Sequence, residues 1–251
     1  MNPATTAVTT FACLVVAIAL GMRLRRRLPD HHLSADSKDA VKLAMGLVAT
    51  MTALVLGLLV SSAKGSYDTA RSEILQMAAK VAFLDRVMAL YGPEAADART
   101  QFRMVIEDAT RRMWPDERGV PPQVTPNVPA GDAIYVSLQH LSPQDDAQRS
   151  LKAQATTLIV EVGQLRSLLQ AQSVPSISQP LLSVVVCWLV VLFLSFSLIA
   201  PPNATTAAAL IVSAFSVAGA VFLILELDQP LGGLIRISSE PMLNVLQRLG
   251  T

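Results

Sequence analysis

The stretch from Ser167 to Leu225 carries no Asp, Glu, Lys or Arg. A helix crosses a bilayer core of about 30 Å with roughly 20 apolar residues, so this stretch is long enough for two crossings. Pro201 and Pro202 divide it, because proline ends a helix, and Asn203 is a good N-cap for a new one. The sequence therefore predicts a transmembrane hairpin of residues 180–200 and 204–225. A buried hairpin of a soluble protein is the alternative, but no charged residue interrupts either leg.

Two further uncharged runs each match one bilayer crossing. Residues 1–22 precede a cluster of four arginines at positions 23, 25, 26 and 27. A secretory signal peptide carries its positive charges before the apolar region, so this order predicts an uncleaved first crossing with a cytoplasmic basic end. Residues 43–63 form the second crossing. With 52% hydrophobic and 16% charged residues, the chain has the composition of a membrane protein.

The second crossing is predicted to continue beyond the membrane as a rod. Apolar residues recur in steps of four and three from Leu56 to Tyr91, a heptad seam that Gly92 and Pro93 end. Gly65 is a candidate point of flexibility, or soft point, in this long helix. A second polar helix is predicted over residues 93–113 and a third from Ser142 onward. The proline-rich residues 116–131 are predicted to form a loop.

The predicted architecture is all-α. It comprises four transmembrane helices and an antiparallel helical extramembrane bundle between helices 2 and 3. Residues 1–63 hold helices 1 and 2 with a basic cytoplasmic loop at 23–42, and residues 64–179 form the extramembrane domain. Residues 180–225 form the hairpin of helices 3 and 4, and residues 226–251 form a C-terminal segment with a short amphipathic helix.

Charge predicts which side of the membrane each part faces. Residues 23–42 contain six Lys or Arg against three acids, whereas residues 64–179 contain twelve against thirteen. Positive charge near the ends of crossings marks the cytoplasmic face, so the bundle is expected outside the cytoplasm. The net charge of +1 gives no reason to expect nucleic acid as a partner.

The sequence offers no set of catalytic residues, zinc spacing, phosphate loop or calcium loop, so no enzyme, cofactor or metal site is predicted.

Small side chains on one face of the second crossing, at Gly46, Thr50, Ala53 and Gly57, suit close packing of another helix. Lining of a pore by Thr50 and Ser61 is the alternative interpretation. Two acids end the last crossing, where a charge is costly unless it is paired or wet. Glu226 and Asp228 are therefore either interfacial anchors or the mouth of an ion path.

Several segments resemble one bacterial family of integral membrane proteins. They include Val41-Lys42-Leu43, Gly46 to Met51, Leu84-Asp85-Arg86, and Phe222 to Asp228 followed by Pro230 and Gly233. This family is called bestrophin-like, or domain of unknown function 4239, and its activity is not established. The family label points to bestrophins, which are pentameric anion channels with helical extramembrane parts. Pro230-Leu231-Gly232 is similar to a Pro-Phe-Gly step of bestrophins, but no acidic cluster follows it to hold calcium.

The resemblance implies an oligomeric protein of ion-channel type in the inner membrane of a bacterial cell. Its expected partners are the lipid bilayer, further copies of the same chain and small ions. Bestrophins keep their helical domain in the cytoplasm, which conflicts with the charge distribution in this sequence. The main alternative is a non-conducting membrane scaffold or sensor with an extracytoplasmic helical domain. An intramembrane enzyme is a more distant third hypothesis, because no catalytic set is visible.

Overall fold

The computed structural model describes residues 2–27, 35–115, 122–123, 128–172, 177–201 and 203–249, without the side chains of 35–37 and 128. These residues form eight α-helices and no β-strand. The helices are α1 (Pro3–Arg25), α2 (Ala35–Tyr91), α3 (Ala96–Met113), α4 (Val128–His140), α5 (Asp146–Gln172), α6 (Gln179–Ile199), α7 (Ala204–Leu227) and α8 (Glu240–Leu246). The all-α prediction is confirmed. Residues 28–34 of the predicted basic loop lie outside the described residues.

Four helices, α1, α2, α6 and α7, are long and apolar enough to cross a membrane. They coincide with the four crossings predicted from the uncharged runs. The turn of the hairpin also follows the prediction, because the side chain of Asn203 accepts a hydrogen bond from Thr206 N at 2.8 Å. This bond satisfies one of the amide groups that a helix start leaves open.

The chain divides into two compact units. The membrane unit comprises residues 1–65 and 176–228, and the polar unit comprises residues 66–175 and 229–251. Helix α2 contributes to both and runs unbroken through Gly65. The expected soft point at this glycine is therefore not a break in the helix. The C-terminal segment groups with the polar unit rather than standing alone.

In the membrane unit, α1 packs along both α6 and α7. Buried apolar side chains from these three helices and from α2 form its core: Leu14, Ile18, Leu59, Ala63, Val185, Leu189, Phe193, Ala214 and Ile224. Helix α2 contributes only one side of its surface to this core. Most of its other side chains in residues 43–63 are exposed in the single chain.

The polar unit has its own hydrophobic core, formed by the outer part of α2 together with α3, α4, α5 and α8. The predicted seam of α2 is buried at every step from Ala70 to Tyr91. The C-terminal segment packs on α3, where Trp114 Nε1 donates to Ile237 O at 2.9 Å and Arg103 Nη1 donates to Leu249 O at 3.0 Å. This segment is therefore part of the unit's structure.

Three polar contacts join α2 to α5. Gln148 Nε2 donates to Tyr91 O at 3.0 Å, Lys80 Nζ donates to Glu161 Oε2 at 2.6 Å, and Gln172 Nε2 donates to Glu73 Oε1 at 2.7 Å. From the first pair to the third, the residue number falls along α2 and rises along α5. These two helices therefore run in opposite directions where they contact each other.

Two predictions about the polar unit are wrong. Helix α4 begins at Val128, so the loop prediction is wrong over residues 128–131, and this helix buries Ile134 and Leu138. Residues 116–121 and 124–127 of the predicted loop lie outside the described residues. Pro129 is compatible with this helix because proline is tolerated in a first turn. Helix α5 begins at Asp146 rather than Ser142. The side chain of Asp145 accepts a hydrogen bond from Gln148 N at 2.7 Å, so Asp145 rather than Ser142 caps this helix.

Candidate functional site

The small residues predicted for the second crossing lie on the exposed side of α2. We call Gly46, Thr50, Ala53, Gly57 and Ser61 the small-residue stripe; all five are exposed in the single chain. A Cβ placed on Gly46 or Gly57 would meet no atom within 4 Å. No described helix of the same chain therefore packs on these two glycines. Helix packing at Gly46, Ala53 and Gly57 stays a prediction for an assembly of several chains.

The hydroxyl group of Thr50 is satisfied within its own helix, where Oγ1 donates to Gly46 O at 2.9 Å. Such a bond leaves the oxygen lone pairs of the hydroxyl directed away from the helix surface. Thr52 makes a similar bond to Val48 O at 2.7 Å, but its side chain is buried. Of these two threonines, only Thr50 is exposed in the single chain.

A second exposed stripe runs beside the small-residue stripe on the surface of α2. It consists of the bulky side chains Leu43, Leu47, Met51, Leu54 and Leu58. At 3.6 residues per turn, the two stripes lie side by side on the helix surface. Leu43 is 79% exposed and Leu58 is 71% exposed in the single chain. The exposed side of α2 thus combines a narrow face of small residues with a broad aliphatic face.

Glu226 and Asp228 occupy the C-terminal end of α7 and are 3% and 6% exposed. Asp228 Oδ2 accepts a hydrogen bond from Ile177 N at 3.4 Å. Beside them, Leu182, Val221 and Leu225 form a small apolar cluster with Ile177. Both acids are therefore buried where the segment before α6 folds against this end of α7.

The single chain does not assemble the four predicted pore or mouth residues into one site. Thr50 and Ser61 lie on an exposed face of α2, whereas Glu226 and Asp228 are buried at the end of α7. Both acids interact with other residues of the chain. This burial favours the anchor interpretation of the acid pair over the mouth interpretation.

Arg25 has a structural role that no sequence pattern predicted. Its Nη1 atom donates to the carbonyl oxygen of Ile199 at 2.6 Å and also contacts those of Leu198 and Ala200. The last carbonyl groups of a helix lack partners and carry partial negative charge, which a guanidinium group can satisfy. The sequence signal was the Pro201 stop combined with the arginine cluster. This contact brings the basic end of α1 and the α6–α7 turn together.

The polar unit contains one strongly bonded ion pair between α2 and α3. Arg99 Nε and Nη2 donate to the two carboxylate oxygens of Asp85, each at 2.9 Å. This paired geometry is the strong form of an arginine–carboxylate contact, and it raises the pKa of Arg99. The pair holds the first turn of α3 against α2.

Comparisons with known proteins agree with this architecture. A crystal structure of a variant bacterial bestrophin homologue from Klebsiella pneumoniae is similar with a TM-score of 0.72 and 12% identity, covering 96% of each chain. Another variant of that homologue gives 0.71 and 13%, again over 96% of each chain. A crystal structure described as a membrane protein gives 0.70 and 13% over the same shares. At this identity the likeness shows the fold alone.

Among curated protein sequences, none matches this chain with significant similarity. A family profile described as a Bestrophin-like domain matches residues 12–242. This match includes most of the membrane unit and most of the polar unit. The chain therefore belongs to the Bestrophin-like family.

Proposed function

We propose that this protein is a homo-oligomeric membrane protein of ion-channel type, with the small-residue stripe of α2 lining a shared axis. The observation that carries the proposal is the exposure of this stripe, which no described helix of the chain covers. Small residues leave room at an axis, and the hydroxyl groups of Thr50 and Ser61 offer oxygen ligands to passing ions. The chain belongs to the Bestrophin-like family, whose name points to the bestrophin channels, and this supports the same function.

The apolar surface of the polar unit supports assembly into an oligomer. There, α2 exposes Leu75, Phe83 and Leu90 by about half of their surface each. Unlike the leucines of the membrane unit, these side chains have no lipid to cover them. Large exposed apolar patches on a water-facing surface mark sites of protein association. Further copies of the chain would cover them while bringing their α2 helices together.

We place the protein in the bacterial inner membrane with both termini and an antiparallel helical bundle on the extracytoplasmic side. The positive charges at residues 23–27 support this orientation. Alkaline phosphatase fused after Gln172 should be active, and the same enzyme fused after Arg27 should be inactive. Activity of the Arg27 fusion alone would reverse the orientation and place the bundle in the cytoplasm.

The function itself is tested by ion flux into liposomes that contain the purified protein. The channel proposal predicts flux that scales with the amount of protein and is lost when Thr50 is replaced by Trp. A Leu47→Trp protein, altered on the neighbouring aliphatic stripe, serves as the control and should still conduct. Absence of flux in properly oligomeric wild-type protein would favour the alternative function, a non-conducting scaffold or sensor whose signal enters through the polar unit.

A further inference from the structure

A cavity of about 810 Å³ opens between α3, α4 and α5 in the polar unit. Each helix contributes a buried apolar side chain to its lining: Phe102 from α3, Ile134 from α4 and Val162 from α5. Small-molecule sites in proteins usually have volumes of about 300–1,000 Å³ and mostly apolar walls. The cavity therefore has the size and the lining of a ligand site.

Two glycines keep this cavity wide. Gly131 on α4 and Gly163 on α5 line it, and a Cβ placed on either would meet no atom within 4 Å. Glycine is a poor residue for a helix interior. At both positions a larger side chain could be accommodated by the chain and would occupy the cavity instead.

One cationic side chain lies at the cavity. Arg166 follows Gly163 by one turn of α5 and is half-buried. Burial is the main cause that lowers the pKa of its guanidinium group, and Arg112 lowers it further, while Asp108 opposes both. Asp108 is itself held by Arg112, with Oδ2 2.6 Å from Nη2. A partly desolvated cation beside a second cation favours the approach of an anion. The carboxylate of Asp132, which also lines the cavity, is exposed to solvent.

We propose that this cavity binds a single-chain anionic amphiphile of the fatty-acid class. Its carboxylate would lie at Arg166 and its hydrocarbon chain along Phe102, Ile134 and Val162. The apolar lining matches the chain, and the charge at Arg166 matches the head group. The site lies wholly within the polar unit and is independent of whether the protein conducts ions.

Photolabelling of the purified full-length protein in lipid nanodiscs tests this assignment. The probe is dodecanoic acid carrying a diazirine on its chain. Labelled peptides should come from α3, α4 and α5, and excess dodecanoic acid should suppress the labelling more strongly than dodecanol. Gly163→Leu, which fills the cavity, and Arg166→Gln, which removes the charge, should each lower labelling by about tenfold, the change that corresponds to about 1.4 kcal/mol. Ala153→Leu adds the same side chain at an exposed position of α5 outside the cavity and should label like the wild type.

Labelling confined to α1, α2, α6 and α7, or labelling unchanged in both cavity variants, would overturn the proposal. Equal competition by dodecanol would remove the role of the anionic head group. A Gly163→Leu protein that assembles to a different size would assign the cavity to a second copy of the chain, which also overturns the proposal. Arg166→Gln keeps the test open if Gly163→Leu does not fold, because it leaves the shape of the cavity largely unchanged.

Discussion

Ser197 on α6 packs directly against Gly21 on α1. A Cβ placed on Gly21 would overlap Ser197 Oγ and would lie 2.6 Å from Leu194 O. The hydroxyl group of Ser197 donates to Leu194 O at 2.8 Å, so its hydrogen bond lies within α6. Helices α1 and α6 therefore approach each other closely at Gly21, whereas no described helix approaches Gly46 or Gly57 of the small-residue stripe in this way.

Replacing Gly21 by Ala should destabilise the membrane unit. The added methyl group must displace backbone as well as a side chain, and overpacking of this kind costs about 1–3 kcal/mol. The midpoint of thermal unfolding in detergent should fall. Gly57→Ala is the matched control, since its Cβ meets nothing in the chain and alanine is the better helix residue. A Gly21→Ala protein as stable as Gly57→Ala would contradict the packing described for α1 and α6.

Leu84 lies in the buried seam of α2, and Leu90 lies on the exposed side of the same helix. Leu84 is 0% exposed and Leu90 is 56% exposed in the single chain. Leu84→Asp should lower the free energy of unfolding of the polar unit by several kcal/mol, because it removes a core side chain and buries a charge. Leu90→Asp should leave the single chain folded and instead weaken any assembly that covers this surface. Thermal unfolding and size in detergent measure the two effects. Equal stability of both variants would refute the seam.

Arg25→Ala should destabilise the α6–α7 turn, because the carbonyl groups at the end of α6 lose their donor. Hydrogen bonds to charged groups contribute about 1.5–3 kcal/mol. Arg23 is exposed, and Arg23→Ala removes the same charge from the cluster without removing a donor to α6. Limited proteolysis near Pro201 should therefore become faster in Arg25→Ala only. Equal rates in the two variants would show that the cluster acts only through its charge.

Glu226 and Asp228 should contribute to the stability of the folded protein. Replacing Glu226 by Gln and Asp228 by Asn together removes charge from groups that are already excluded from solvent and bonded within the chain. Loss of charged hydrogen bonds predicts a fall in stability of about 1.5–3 kcal/mol per bond. We expect a lower melting temperature with little change in ion preference. A clear change in ion preference at an unchanged melting temperature would restore these acids as the mouth of an ion path.

Much of the fold could be predicted from local patterns. The uncharged runs located α1, α2, α6 and α7, and Asn203 was correctly assigned as a cap, because both signals depend on neighbouring residues only. Helix α4 was missed because prolines dominate the segment before it, although Ile134 and Leu138 are four residues apart. The burial of Glu226 and Asp228 could not be predicted, since it depends on the segment at Ile177 folding back against α7.

For the candidate site, the sequence predicted which residues share a helix face but not what that face contacts. The sequence placed Gly46, Ala53 and Gly57 on one face of a helix, but it could not tell which surface that face meets. The close approach at Gly21 was missed for the same reason, because a single glycine in an apolar run does not identify its neighbour. Both questions depend on how separate helices meet.

Current through the reconstituted protein tests the role of the small-residue stripe most directly. Cys13 and Cys187 are free and exposed, so both are first replaced by Ser. Thr50→Cys is then compared with Leu47→Cys on the neighbouring aliphatic stripe in planar bilayers, while a charged, water-soluble thiol reagent is added. If the stripe lines an ion path, current through Thr50→Cys falls sharply on modification and current through Leu47→Cys does not change. Loss of current in Leu47→Cys alone, or no effect in either protein, would contradict the proposed path.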